Sequence, residues 1–137
     1  MDATFHLSLP CLEKGQTKRF YIDTLGATAG RETDNWIDIN LFGNQITFIK
    51  SGKYDFSFKN YKFEGRILPS FHFGVILSIS AWEKLYQRIK LSTKFYLDDT
   101  SFLKNKNGEH NSFFVKDPNG YIVEFKSFKN SGAIFKS

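Results

Sequence analysis

Read for the alternation of apolar and polar positions, the chain makes two passes through one pattern. Thr4-Phe5-His6-Leu7-Ser8-Leu9 alternates as a short strand does, sending successive side chains to opposite faces. A helix-like stretch follows from about Leu12 to Leu25, with Gly26 placed to end it. Trp36 to Phe42 then alternates strictly, Gly43-Asn44 reads as a turn, and Gln45 to Ile49 resumes the alternation, which is a hairpin signature. The second pass keeps this order. Phe71 to Leu77 is a strand, and Ser80-Ala81-Trp82-Glu83 reads as a capping box with Ser80 at the N-cap. Trp82, Leu85, Tyr86 and Ile89, at spacings of three and four, predict an amphipathic helix. Strands at Lys94–Leu97, Ser112–Val115 and Tyr121–Phe128 follow, the last two joined by Asp117-Pro118-Asn119-Gly120, where proline fixes one dihedral and glycine admits a positive one.

Each half therefore reads β-α-β-β-β, and His6 and Gly43 find their counterparts in His72 and Gly120. The expected layout is a single domain with module one at about 1–50, a linker at about 51–69, module two at about 70–129 and a tail at 130–137. The second half is longer, and polar Asp98–Asn111 reads as its insertion. In the linker, Tyr54, Phe56, Phe58, Tyr61 and Phe63 alternate like a covering strand.

Composition narrows the classes open to the chain. Its 137 residues are 41% apolar, enough for one buried core, and include 16 phenylalanines, a bulky sheet interior. No stretch approaches the ~18 apolar residues of a membrane span. The start Met1-Asp2-Ala3-Thr4 lacks the basic and apolar segments of a signal peptide. The single cysteine, Cys11, has no internal partner, so a cytoplasmic location is expected. The net charge of +5 is spread along the chain without a dense stripe, which argues for a solvated basic surface and against a nucleic-acid partner.

The candidate chemistry sits on the strands. His6 and His72 occupy equivalent places in the two opening strands, and Glu124 lies on the last strand, four residues after Gly120. If the halves pack as a pseudo-twofold pair, these strands line one cavity. Two imidazoles and a carboxylate then form a 2-His-1-carboxylate set with open coordination positions for a substrate, water or O₂. Asp38 and Asn40, alternating with Trp36, share a face opposite Ile37, Ile39 and Leu41. Gln45 shares the face of Thr47 and reads as a hydrogen-bonding group toward a substrate. His110 precedes a strand and is the candidate acid–base residue. Lys126, on the face of Glu124 but farther along the strand, reads as surface, and Cys11 as structural.

Taken together, Phe5-His6-Leu7, Arg19-Phe20-Tyr21 with Leu25-Gly26, Trp36-Ile37-Asp38 with Phe42-Gly43-Asn44-Gln45, His72-Phe73-Gly74-Val75 and Asp117-Pro118-Asn119-Gly120 through Glu124-Phe125 resemble the vicinal oxygen chelate superfamily over nearly the whole chain. This group includes glyoxalases, bleomycin-resistance proteins, extradiol dioxygenases and fosfomycin-resistance enzymes. The resemblance implies an α+β fold, with two βαβββ modules in tandem forming a cupped, barrel-like mixed sheet and helices outside. It also implies a divalent metal at His6, His72 and Glu124. Thr47 stands where glyoxalase I-like members carry a fourth, carboxylate ligand, which argues against that activity. Ring-cleaving members typically add a histidine and a tyrosine beside the metal; the strand before Glu124 offers Phe113 and Phe114 and no tyrosine, which weakens a catechol dioxygenase assignment.

The resulting expectation is a small cytoplasmic metal-dependent enzyme, dioxygenase-like, acting on a small oxygen-chelating substrate. Fe(II) is favoured as the metal, with Mn, Zn or Ni as alternatives. Trp36, Asp38, Asn40, Gln45 and Phe114 are the expected substrate contacts. The alternatives are a metal-free small-molecule binding protein of the bleomycin-resistance kind and a fosfomycin-type thiol transferase. The expected partners are a small-molecule substrate and a second copy of the chain, a homodimer, with neither nucleic acid nor membrane. Closure of the site within one chain and sharing of it between two both stay open.

Overall fold

The alternating positions of the first half settle into a four-stranded sheet in the computed structural model, which describes residues 1–137. β1 (His6–Cys11), α1 (Lys14–Arg19), β2 (Thr28–Glu32), β3 (Trp36–Leu41) and β4 (Asn44–Lys50) follow in order. The sheet runs β1-β4-β3-β2, with β1 parallel to β4 and the other pairs antiparallel. α1 is capped by the Glu13 carboxylate, which accepts the N–H groups of Gly15 and Gln16 at 2.7 Å each. The helix therefore starts just after the expected Leu12 and continues as a π-helical turn at Phe20–Thr24. Ile37, Ile39, Leu41, Ile46 and Phe48 are buried on one sheet face, where the Tyr21 ring lies 4.8 Å from Phe48. Cys11 is buried as well, and burial pushes its thiol pKa up, which makes it a structural residue.

The chain folds as two compact units: unit 1 is Met1–Phe56 with Asp117–Gly120, and unit 2 is Ser57–Lys116 with Tyr121–Ser137. The Asp-Pro-Asn-Gly loop thus completes unit 1. The Tyr21 hydroxyl donates to Asp117 at 2.9 Å, and Asn119 accepts the Leu12 N–H at 2.9 Å while its amide donates to Thr17 at 3.1 Å.

Unit 2 repeats the plan with β7 (Phe73–Ile76), α2 (Ile79–Ser92), β8 (Leu97–Phe102), β9 (His110–Lys116) and β10 (Ile122–Phe128). Its sheet order, β7-β10-β9-β8, reproduces that of unit 1, again with the first strand parallel to the last. A separate hairpin, β5 (Asn60–Phe63) and β6 (Arg66–Pro69), precedes it. The fold class is α+β with tandem modules, and both four-stranded sheets are open, neither closing into a barrel. No helix is long and apolar enough to cross a membrane.

Local expectations shift in four places. The N-cap of α2 is Ser78, whose Oγ accepts the Ala81 N–H at 3.3 Å; two serines compete there, and the upstream one holds the extended backbone a cap needs. The first hairpin turns on Phe42-Gly43, with φ of 50° and 96°, so Asn44 is already in β4; Gly43 supplies a positive φ at no steric cost. Asp98–Asn111 is only partly an insertion, because β8 runs through Phe102 and β9 starts at His110; threonine, serine and phenylalanine outweigh the two aspartates on a half-solvated edge. The covering segment is a hairpin turning at Glu64-Gly65 rather than one strand from Tyr54 to Phe63.

Ser127 on β10 is buried, and its hydroxyl has no hydrogen-bond partner. A buried, unsatisfied hydroxyl costs about 1–3 kcal/mol. Ser127→Ala is therefore expected to stabilise the fold by about 1 kcal/mol, raising the thermal midpoint by about 2–4 °C. An unchanged or lowered midpoint in differential scanning calorimetry would count against this.

Candidate functional site

The two faces of β10 do different work. Phe125 and its β9 neighbour Phe113 pack under α2, with Phe113 5.1 Å from Trp82 and 5.2 Å from Phe125, and the Trp82 indole donates to the Phe125 carbonyl at 2.8 Å. This anchors β10 and turns Glu124 and Lys126 to the opposite face, where Phe114 lies across from Glu124 and Ser112 across from Lys126.

Glu124 is buried, and both its oxygens are engaged. Oε1 accepts the Ser112 hydroxyl at 2.7 Å, and Oε2 stands 3.1 Å from His72 Nε2. The Lys126 ammonium lies 3.7 Å from Oε1, within ion-pair reach but beyond hydrogen-bond length. Burial alone would push the Glu124 pKa up, but His72, Lys126 and Ser112 together outweigh it and hold the carboxyl below its ordinary value. His72 is shifted upward, chiefly by its hydrogen bond to Glu124 and against burial. Its Nδ1 lies 3.0 Å from the Pro69 carbonyl, so both ring nitrogens face acceptors and the imidazolium satisfies both.

His110 sits on the same face, between Phe102 and Phe128, with ring centroids 5.4 and 5.2 Å away. It is buried at the start of β9 rather than held in a loop. Burial lowers its pKa, so the ring is neutral at pH 7, and Nδ1, donating to the Gly108 carbonyl 2.7 Å away, leaves Nε2 as an acceptor. His72, His110, Glu124 and Lys126 border a cavity of about 310 Å³ whose other walls include Tyr61, Phe63, Phe102 and Phe114. The Tyr61 phenol comes from β5, and burial, with a smaller contribution from Glu124, raises its pKa and keeps the proton on. A tyrosine and a histidine therefore do stand beside His72 and Glu124. The strand before Glu124 gave no sign of the tyrosine, because it arrives from the hairpin.

In unit 1, His6 opens β1 opposite Gln45 and is exposed. Asp38 is buried and lies opposite Thr47, whose hydroxyl donates to it at 2.7 Å; Gln45 donates at 3.1 Å and Arg31 at 3.3 Å. The position equivalent to Glu124 thus holds a threonine that delivers its hydrogen bond to a carboxylate one strand over. Asp38, Asn40 and Gln45 line a cavity of about 290 Å³ together with Arg31. Trp36 lies under the Arg31 guanidinium at 5.6 Å, and Asn40 accepts the Gly43 N–H at 2.7 Å, closing the turn. Neither unit gathers three His, Cys, Asp or Glu side chains into a ligating cluster of its own.

No protein-family model and no curated protein matches the sequence. Solved structures do. A glyoxalase/bleomycin resistance protein/dioxygenase from Alicyclobacillus acidocaldarius superposes with a TM-score of 0.82 at 25% identity, over 98% of this chain and 97% of that one. The fosfomycin resistance protein FosX from Listeria monocytogenes gives 0.67 at 12% identity, over 98% and 99%. The oxidase ChaP-H2 gives 0.64 at 17% identity, over 95% and 96%. Module order, parallel first-to-last pairing and these end-to-end superpositions agree, and the chain has the fold of the vicinal oxygen chelate superfamily.

Proposed function

We propose that the chain is a metal-dependent enzyme of the glyoxalase/bleomycin resistance/dioxygenase type, dioxygenase-like, acting on a small substrate with two neighbouring oxygens. Its divalent ion, Fe(II) by preference over Mn, Zn or Ni, would be held by His6, His72 and Glu124.

The observation that carries this reading is how His72 and Glu124 are supported. The Pro69 carbonyl accepts a hydrogen bond from His72 Nδ1, which leaves Nε2 as the ring nitrogen open to ligation, while Ser112 holds one Glu124 oxygen and leaves the other 3.1 Å from that nitrogen. Such outer hydrogen bonds are what orient ligating side chains. His6, opposite Gln45, is the unit 1 counterpart of His72. A bound divalent ion supplies Lewis-acid chemistry, or redox chemistry with iron.

The chain's own groups do the rest. His110 Nε2 accepts a substrate proton, and the protonated Tyr61 phenol donates a hydrogen bond to a substrate oxygen. Phe114 packs against the substrate. The enzyme is proposed to work in the cytoplasm as a homodimer.

A second reading, a metal-free binding protein, is favoured by one feature: His72 and Glu124 already satisfy each other as an ion pair.

Metal analysis of anaerobically purified protein separates the two. Near-stoichiometric metal is expected in the wild type, with at least a tenfold loss of affinity in Glu124→Gln and in His6→Ala. A wild type that takes up no metal on reconstitution would leave the binding protein as the surviving reading.

A further inference from the structure

The polar groups around Glu124 do not all need one another. Ser112 and His72 already occupy its two oxygens. Lys126 stands 3.7 Å away, too far for a hydrogen bond, so the pair leaves its three N–H donors uncommitted. Its side chain is nonetheless no surface ornament. Only 29% of it is exposed, and its ammonium lies 5.9 Å from the centre of the Phe128 ring. An ammonium held at the wall of a cavity, short of hydrogen bonds, is poised for an anion.

The rest of the cavity defines what the anion is attached to. Tyr61 and Phe63 supply accessible aromatic walls, backed by Phe102 and Phe114, which are almost fully buried. Offset or edge-on ring contacts would hold a flat ring there. At about 310 Å³ the cavity is at the small end for ligand sites, room for a single-ring molecule.

We infer that the substrate of this site is a small aromatic anion, a ring bearing a carboxylate or phosphonate, whose charged group is received by Lys126 and whose ring packs against Tyr61 and Phe63. This names the substrate class of the site proposed above and rests on that site being the one used.

The test is ligand titration by NMR with benzoate and phenylphosphonate, each beside neutral benzamide, with metal content measured on the same samples. Wild-type protein is expected to bind at least one anion about tenfold or more tightly than benzamide. Lys126→Met should lose that preference, and Lys126→Arg should keep it. A wild type that binds neither anion, or a Lys126→Met protein that still prefers the anion, overturns the inference. The two proposals fail separately. Metal present with no dependence on Lys126 removes the substrate class and leaves the metal reading. Anion preference that depends on Lys126 in protein that never takes up metal does the reverse.

Discussion

Gly74→Ala is expected to destabilise unit 2 by about 3 kcal/mol or more, through a single methyl group. β7 runs parallel to β10, and Gly74 lies opposite Glu124. A Cβ at Gly74 would fall 1.7 Å from the Glu124 carbonyl oxygen, 2.6 Å from its carbonyl carbon and 2.9 Å from its nitrogen. Overpacking usually costs about 1–3 kcal/mol because neighbouring side chains can turn aside. Here the obstacle is backbone inside a ladder and has nowhere to turn. Either β7 lifts from β10, exposing unpaired backbone groups, or Glu124 moves and with it the pairing to His72. Alanine's lower unfolded-state entropy, worth about 0.4–1 kcal/mol, does not offset this. Urea unfolding should show a large drop in the midpoint. A midpoint within experimental error of wild type would mean that the two strands do not approach so closely.

The second large effect belongs to Glu124→Ala, and it depends on pH. Truncating one member of a buried, hydrogen-bonded pair costs about 3–5 kcal/mol, because the partner stays behind without its counter-charge. The wild-type advantage follows the two titrations. Glu124 has a folded pKa below its ordinary value near 4.5, so its contribution is present above that value and lost as pH falls through the folded pKa. His72 has a folded pKa above its ordinary value near 6.5, so its contribution is full below that value and lost as pH rises through the folded pKa. The stability difference between wild type and Glu124→Ala in metal-free protein should therefore be greatest between about pH 4.5 and 6.5 and shrink on both sides. Urea midpoints for both proteins at pH 3.5, 5.5 and 8.5 test this. A difference that does not vary with pH would show that the pair is not ionised as described.

Legibility of the fold and site followed the range of the interactions involved. The two passes of alternation made the tandem modules readable, because a sheet with one buried face imposes period two on every strand; Ile37, Ile39 and Leu41 all turned inward as their spacing requires. The end of a helix is decided by backbone dihedrals and one hydrogen bond, and Ser78 and Ser80 offer the same chemistry. β8 was hidden because an edge strand tolerates Asp98 and Asp99 on its wet side. In the site, the kinship of Glu124 with His72 could be read from the repeat. Tyr61 could not, because the β5–β6 hairpin has no counterpart in the first half. Strand spacing places Lys126 at the surface because it describes where the backbone lies, and a four-carbon stem carries the charge back to within 3.7 Å of Glu124.

The loop at Asp117–Gly120 has a consequence for how the chain acquires its structure as it leaves the ribosome. Synthesis runs from the N-terminus, and the first module's strands and helix are all complete well before residue 117 emerges. Until then the buried Tyr21 hydroxyl lacks its acceptor on Asp117, and Thr17 lacks the Asn119 amide that donates to it. The earlier module thus waits on the later one, and contacts spanning about a hundred residues of sequence make that wait part of a slow, high-contact-order assembly. A cut at the linker therefore does not separate the two units, because the turn that completes the first lies within the sequence of the second.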